Sequence, residues 1–194
     1  IFAALEAAQN YAVVQFYVFH DDQLGRRMKS TLLAAAKRGV RCWVLYDKVG
    51  SKGLPVSYIE ELRAAGVQIE GFVTNRQIGR RFQMNFRNHR KAVIIDGHTG
   101  FLGGLNVGDE YMGKGPLGAW RDTHMMIIGP ATLAMQVSFL EDWYYADNSV
   151  PELPVQPVEA GSEDALVFAS GPAESWGAIS AVYCEIIHDV RKRL

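Results

Sequence analysis

An α/β sandwich around a central mixed, mainly parallel sheet is the fold class this sequence predicts. Two strand–helix–strand units follow one another before residue 73, the arrangement that lays helices over a parallel sheet. Their strand runs are apolar without polar alternation, as strands covered on both faces are. Asp96-Gly97 between two further apolar runs is hairpin chemistry and adds antiparallel strands. At 194 residues, with ordinary apolar and charged fractions, the chain can build one well-packed domain, and a net charge of −1 implies no general affinity for polyanions.

Each element has a local reason. Ile1 to Ala8 reads as a helix and Tyr11 to Phe19 as a buried strand. His20-Asp21-Asp22 places acids at the positive end of a helix from Gln23 to Lys37, which Arg38-Gly39 stops. Val40 to Tyr46 is the next strand, with Asp47, Gly50 and Ser51 at its carboxyl end, where open α/β sheets place ligands. Pro55 to Ala65 is helical, Gly66 closes it, and Val67 to Phe72 is the third strand. Ala92 to Ile95 and the run around Phe101-Leu102 form the hairpin, and Gly108 to Ala119, rich in glycine, loops over its end. Trp120 to Ile128 is a further strand. Gly129-Pro130 opens a helix to about Ala146, with Leu133, Val137, Leu140 and Tyr144 as its core-facing stripe.

Beyond residue 147 the composition changes. Residues 148–164 hold Pro151, Pro154 and Pro157 among Glu152, Glu159, Glu163 and Asp164, with no Lys or Arg, and read as a linker. A strand from Ala165 to Ala169 and a helix from Ser175 to Leu194 are expected after it. Cys42 and Cys184 show no metal or redox spacing and are read as reduced core thiols. No apolar run approaches the ~20 residues that cross a bilayer.

The chemistry gathers between Asn88 and Asn106. His89 and Lys91, two apart at the head of a strand, leave its same face. Gly103 and Gly104 lack the side chains that would keep a ligand from backbone N–H groups, and Asn106 adds an amide donor. These groups suit a phosphate. Neutral imidazole is a nucleophile near pH 7 that can form a phosphoryl intermediate, Lys91 supplies fixed positive charge, and Asn106 adds hydrogen bonds to the charge that builds in the transition state. Arg76, Arg80, Arg81, Arg87 and Arg90 crowd the approach to the motif without one acid, a pattern that fits an anionic headgroup or membrane surface.

The pattern His-x-Lys-x4-Asp followed by Gly-Gly-x-Asn (His89, Lys91, Asp96, Gly103, Gly104, Asn106) resembles the HKD signature of the phospholipase D superfamily. The context, from Arg87-Asn88-His89-Arg90-Lys91 through Gly108-Asp109-Glu110-Tyr111 and Trp120-Arg121-Asp122-Thr123-His124 to Leu140-Glu141-Asp142-Trp143, is similar to the first HKD half of bacterial cardiolipin synthases. The likeness includes Tyr17-Val18-Phe19 and Asp47 with Gly50-Ser51.

That resemblance implies a phospholipase D-like α/β/α sandwich over residues 1–147, with residues 165–194 opening a truncated second repeat. It implies a phosphatidyltransferase joining two phosphatidylglycerol molecules into cardiolipin and glycerol through a phosphohistidine, without metal or cofactor, at the cytoplasmic face of a bacterial membrane. His89, Lys91 and Asp96 would be the catalytic set and Asn106, Gly104, Arg87 and Arg90 the phosphate contacts. Asp122 would hold the far nitrogen of the motif histidine, against the alternative of a salt bridge to Arg121. Asp96, just before Gly97, also fits a turn-stabilising role.

The superfamily surrounds one phosphate with two motifs, and His20, His98, His124 and His188 lack Lys and Asn companions, reading as turn, surface or satisfied core residues. The partner is therefore a second HKD domain of a longer chain, or a second copy in a homodimer. With its start at Ile1 and its truncated repeat, the chain is expected to be a piece of that longer protein. The other outcomes are a superfamily hydrolase or nuclease and a silent phosphate-binding module. Nucleic acid is not the expected partner, since no interleaved aromatic platform accompanies the arginines.

Overall fold

The computed structural model describes residues 1–73, 87–116, 118–171 and 177–191. Arg76, Arg80, Arg81 and the ends of the helix expected over residues 175–194 lie outside them. Six strands form one sheet in the order β3-β2-β1-β4-β5-β6: β1 (Tyr11–Phe16), β2 (Arg41–Asp47), β3 (Gln68–Phe72), β4 (Ala92–Ile95), β5 (Thr99–Gly103) and β6 (His124–Ile128). The sheet is mixed, as expected. β1, β2, β3 and β5 run one way and β4 and β6 the other, so β1–β2 and β2–β3 are the parallel pairings and the hairpin side is antiparallel.

Helices cover both faces. On one side α1 (Phe2–Ala7), α2 (Gln23–Lys37) and α3 (Val56–Ala64) enclose a core with Leu5, Val14, Leu32, Val44, Leu62 and Val93. On the other, α4 (Ala131–Asp147) crosses β3, β4, β5 and β6 and packs its Phe139 and Trp143 with Val13, Trp43, Leu45 and Ile94. Every residue of β1 is buried, the consequence of lying mid-sheet between two helical layers. Asp22 caps α2 by accepting from Gly25 N–H at 2.9 Å, and its other oxygen accepts from Asp109 N–H. Asp109 in turn accepts from Leu24 N–H, which ties the loop after β5 to that helix.

Several expectations are corrected. β1 stops at Phe16, where its parallel partner is about to end. Phe19 then forms only an isolated bridge to Val107. β6 begins at His124, not Trp120, because the ladder with its partner β5 ends at the Gly103–His124 pair, beyond which only Gly104 N–H still reaches the Thr123 carbonyl. Residues 165–169 form no strand: Leu166 is exposed and no neighbouring strand meets their backbone groups among the described residues.

The α4 stripe is rotated: Val137 and Tyr144 face outward, and the buried side carries Met135, Gln136, Phe139, Asp142 and Trp143. Two polar residues sit on that side because they are hydrogen-bonded there, Gln136 to the Tyr11 hydroxyl at 2.6 Å and Asp142 to Gln15 Nε2 at 2.7 Å. An apolar-periodicity reading passes over such positions.

The acidic stretch does not hang free throughout. Leu153 enters the α4-side core, Gln136 donates to the Pro154 carbonyl, and Arg41 donates to that of Glu152. α5 (Ala178–Asp189) follows with no buried side chain. Cys42 is buried, which pushes its thiol up to about 12, but Cys184 on α5 is exposed and is no core thiol. Among the described residues no helix is long and apolar enough to cross a membrane.

Candidate functional site

Register decides which chain ends meet. Gln15 pairs with Ala92, and Ala92 with Leu102, so Tyr17 beyond β1, residues 89–91 before β4 and Gly103-Gly104 closing β5 share one end of the sheet. Asp47 closes β2 there, and Asp122 lies two residues before β6.

His89 is exposed and its imidazole stacks on the Tyr17 ring, with centroids 3.9 Å apart and planes at 21°. Lys91 leaves the same face, as strand alternation requires. Its Nζ stands 5.6 Å from the Tyr17 centroid and donates to the His89 carbonyl at 2.6 Å. Partial burial lowers the His89 pKa below 6.5, and the charges of Lys91 and then Arg87 lower it further, against an opposing pull from Asp47. Both effects favour the neutral imidazole, the nucleophilic form of the side chain. Burial also lowers the Lys91 pKa, with Asp122 pulling the other way.

A network on the opposite face of the segment fixes its path. Gln15 Nε2 donates to Asn88 Oδ1 at 3.0 Å and to Asp142 Oδ2 at 2.7 Å, and Arg90 donates to Asn88 Oδ1 from its backbone and to Asp142 Oδ1 at 2.5 Å from its guanidinium. Arg90, expected among the phosphate contacts, is one residue out of phase with His89 and Lys91 and points to α4, away from them. Asp47, 2 % exposed, accepts from Val49 and Gly50 N–H at 2.9 Å each and, more weakly, from Asn88 N–H.

The glycine pair works differently from expectation. Gly104 N–H donates to the Thr123 carbonyl at 3.1 Å, so it is not open to a ligand. What the missing side chain admits is Asp122: a Cβ on Gly104 would stand 2.1 Å from Asp122 Oδ1. The Asp122 carboxylate accepts from Thr123 N–H and, at 3.4 Å, from Trp120 Nε1, and no hydrogen bond joins it to His89 among the described residues. Its charge acts on Lys91, Tyr111 and His124.

Asn106 is 8 % exposed and brackets the site: its Oδ1 accepts from Val18 N–H at 3.0 Å and its Nδ2 donates to the Tyr111 hydroxyl at 2.8 Å. Tyr111 meets Trp120 edge to face, 5.1 Å between centroids.

Asp96 is displaced furthest from its expected place. Five residues beyond Lys91, it lies about 16 Å down the strand at ~3.3 Å per residue. There its carboxylate accepts from the backbone N–H groups of Gln9, Asn10 and Tyr11 at 2.9, 2.7 and 2.8 Å. It adopts the left-handed region, φ 50°, which Asp tolerates better than most side chains. Asp96 is an anchor between turn and strand, and it lies away from the end of the sheet that holds His89 and Lys91. His124 is corrected too. Both its ring nitrogens are buried without a hydrogen-bond partner among the described residues, so it reads neither as a surface nor as a satisfied histidine.

Sequence reading missed the parts played by Tyr17, Gln15, Asn88 and Asp142, which entered only as matching context or not at all. Gln15 did carry a signal, as the one polar residue in the otherwise apolar Tyr11–Phe16 run.

A half-parallel, half-antiparallel sheet between helical layers, presenting His and Lys together from the head of a hairpin strand, defines a phospholipase D-like domain. A family model described as "Cardiolipin synthase, PLD-like domain" matches residues 1–136. Cardiolipin synthase A of Pseudomonas entomophila is 49% identical over 197 aligned positions, which cover 100% of this chain and 41% of that protein. Cardiolipin synthase A of Pseudomonas aeruginosa is 48% identical, with 40% of it covered.

Among solved structures, phosphatidylserine synthase of Haemophilus influenzae aligns at TM-score 0.59 and 16% identity, over 77% of this chain and 35% of that one. Nuc, a phospholipase D family member from Salmonella typhimurium, aligns at 0.57 and 16%, over 75% and 85%. These two likenesses are of fold. The chain belongs to the PLD-like domain family of cardiolipin synthases, and it spans about two fifths of the length of the curated relatives it matches.

Proposed function

We propose that this chain is the first catalytic half of a phosphatidyltransferase that converts two phosphatidylglycerol molecules into cardiolipin and glycerol. The observation that carries the reading is the convergence of an exposed His89 and Lys91 on one ring, in a chain half identical to named cardiolipin synthases. A second HKD unit, from a longer chain or a second copy, completes the site.

One of the two motif histidines attacks phosphorus. The P–N bond forms, the P–O bond to the glycerol headgroup breaks, and the other histidine gives its proton to the departing oxygen. The primary hydroxyl of a second phosphatidylglycerol, deprotonated by that same residue, then attacks phosphorus and releases the first histidine. Lys91 and Asn106 stabilise charge on the non-bridging oxygens, and the Arg87 charge favours an anionic headgroup. A covalent phosphatidyl group lets an alcohol, rather than water, accept it. The second unit begins after an acidic linker at residues 148–164, and the assembly works at the cytoplasmic face of the bacterial membrane.

The test incubates the chain with detergent-dispersed, headgroup-labelled phosphatidylglycerol and follows glycerol, cardiolipin and the particle mass. Transfer by a dimer, abolished by His89→Ala, supports a site built from two copies. A folded, inert monomer that gains transfer when joined to a second HKD domain supports the two-domain enzyme. Transfer that survives His89→Ala refutes the reading.

A further inference from the structure

We infer that the Tyr17 ring is the platform that positions both reacting groups, His89 and Lys91. The inference rests on His89 being a reacting histidine and adds a residue to that site. Two independent contacts converge on the ring: the His89 imidazole stacked at 3.9 Å, and the Lys91 ammonium 5.6 Å from the centroid, within the roughly 6 Å reach of a cation–π contact.

The ring itself has little freedom. Gly50 packs so tightly that a Cβ there would stand 2.3 Å from the Tyr17 carbonyl oxygen and 2.9 Å from ring Cε2. Ser51 Oγ donates to that carbonyl at 3.2 Å and accepts from Phe19 N–H at 2.9 Å. On the other side Val18 N–H is held by Asn106. The backbone is thus tied to both the β2 and β5 loops at the point where the ring emerges.

An exposed imidazole on a free rotor samples several rotamers, and few of them point a nitrogen at phosphorus. Stacking on a fixed ring removes those alternatives before substrate arrives. Among the described residues the Tyr17 hydroxyl has no hydrogen-bond partner, so the aromatic face does the positioning and phenylalanine should replace it.

The first measurement needs no turnover. Protons over an aromatic face resonate upfield, so the His89 ring signals of this chain, assigned through His89→Gln, are expected to move downfield in Tyr17→Leu and to stay in place in Tyr17→Phe. Gly50→Ala, which leaves Tyr17 intact but crowds its ring, should move them as well. Unchanged His98 signals, from the β4–β5 turn, and unchanged backbone amide signals across the sheet report that the fold is retained.

In the assembly that turns over phosphatidylglycerol, Tyr17→Leu should lower kcat on the order of 10²-fold with little change in KM, the size of effect that a misplacement of about 1 Å brings. Tyr17→Phe should restore it. An unmoved His89 signal in Tyr17→Leu, full transfer despite a moved signal, or Tyr17→Phe as impaired as Tyr17→Leu would each overturn the inference and leave His89 as the reacting group. Transfer that survives His89→Gln would instead remove the reading on which it rests.

Discussion

Replacing Asp96 should destabilise the fold and leave the His89 end of the sheet undisturbed. In Asp96→Ala three backbone donors lose their acceptor. Gln9 and Asn10 N–H are exposed and exchange the carboxylate for water, at about 1 kcal/mol each. Tyr11 N–H is partly buried at the head of β1 and loses about 2 kcal/mol. Alanine at φ 50° adds about 1 kcal/mol, because its Cβ crowds the following carbonyl in the left-handed region. The expected loss is therefore about 5 kcal/mol, or roughly 2.5 M in the urea midpoint at ~2 kcal/mol per M.

Asp96→Asn, which keeps one acceptor oxygen and tolerates the same φ, should lose less than half as much. The assay is equilibrium urea unfolding of the three proteins, followed by the His89 ring signals in the folded fraction. Those signals should be unchanged, since Asp96 lies at the opposite end of β4, about 16 Å beyond Lys91 at ~3.3 Å per residue. A midpoint unchanged in Asp96→Ala, or a perturbed His89 in a fully stable variant, would refute the anchor and return Asp96 to the catalytic end.

Other outcomes follow from the same geometry. His89 and His124 both have pKa values below the ordinary 6.5, through burial first and, for His89, Lys91 next. The folded chain therefore binds fewer protons than the unfolded chain just below that pH, and stability should fall as pH drops through it. Melts at about pH 7.5 and about pH 5.5 should show the drop, smaller in His124→Leu. Lys91→Gln removes one cause of the His89 shift, so the imidazole should titrate at higher pH, read by its ring signals. Gly104→Ala should drive Asp122 from its place and destabilise by about 1–3 kcal/mol. Asp122→Gly should relieve most of that cost, as a double-mutant cycle in urea would report. Asp142→Ala leaves the Arg90 guanidinium without its carboxylate and the Gln15 amide with Asn88 Oδ1 as its remaining acceptor. With Arg90 partly exposed, the expected loss in urea is about 2–3 kcal/mol, with slower transfer because residues 88–91 lose their support.

The sequence by itself determined the fold class, nearly every element and the pairing of His89 with Lys91. These are local matters. Apolar runs mark buried strands, Asp22 and Arg38-Gly39 bound α2 where the capping pattern says, and two residues two apart on a strand share a face whatever the rest of the chain does. Tertiary structure alone decided what each polar group faces. Asp96 belongs to the motif by spacing, but the register of β4 on β1 carries it to the far end, onto the amides of residues 9–11.

Arg90 looked like one more cation beside His89 until alternation and Asp142, 52 positions away, turned it to the other face. Gly104 reads as room for a ligand, and the room is taken by Asp122. Gln136 and Asp142 fall outside any apolar stripe and are nevertheless on the buried face of α4, because their hydrogen-bond partners are Tyr11 and Gln15 on β1. The stacking of His89 on Tyr17 joins residues 72 positions apart. Partners this distant are set by sheet order and packing, and one-dimensional spacing carries no record of them.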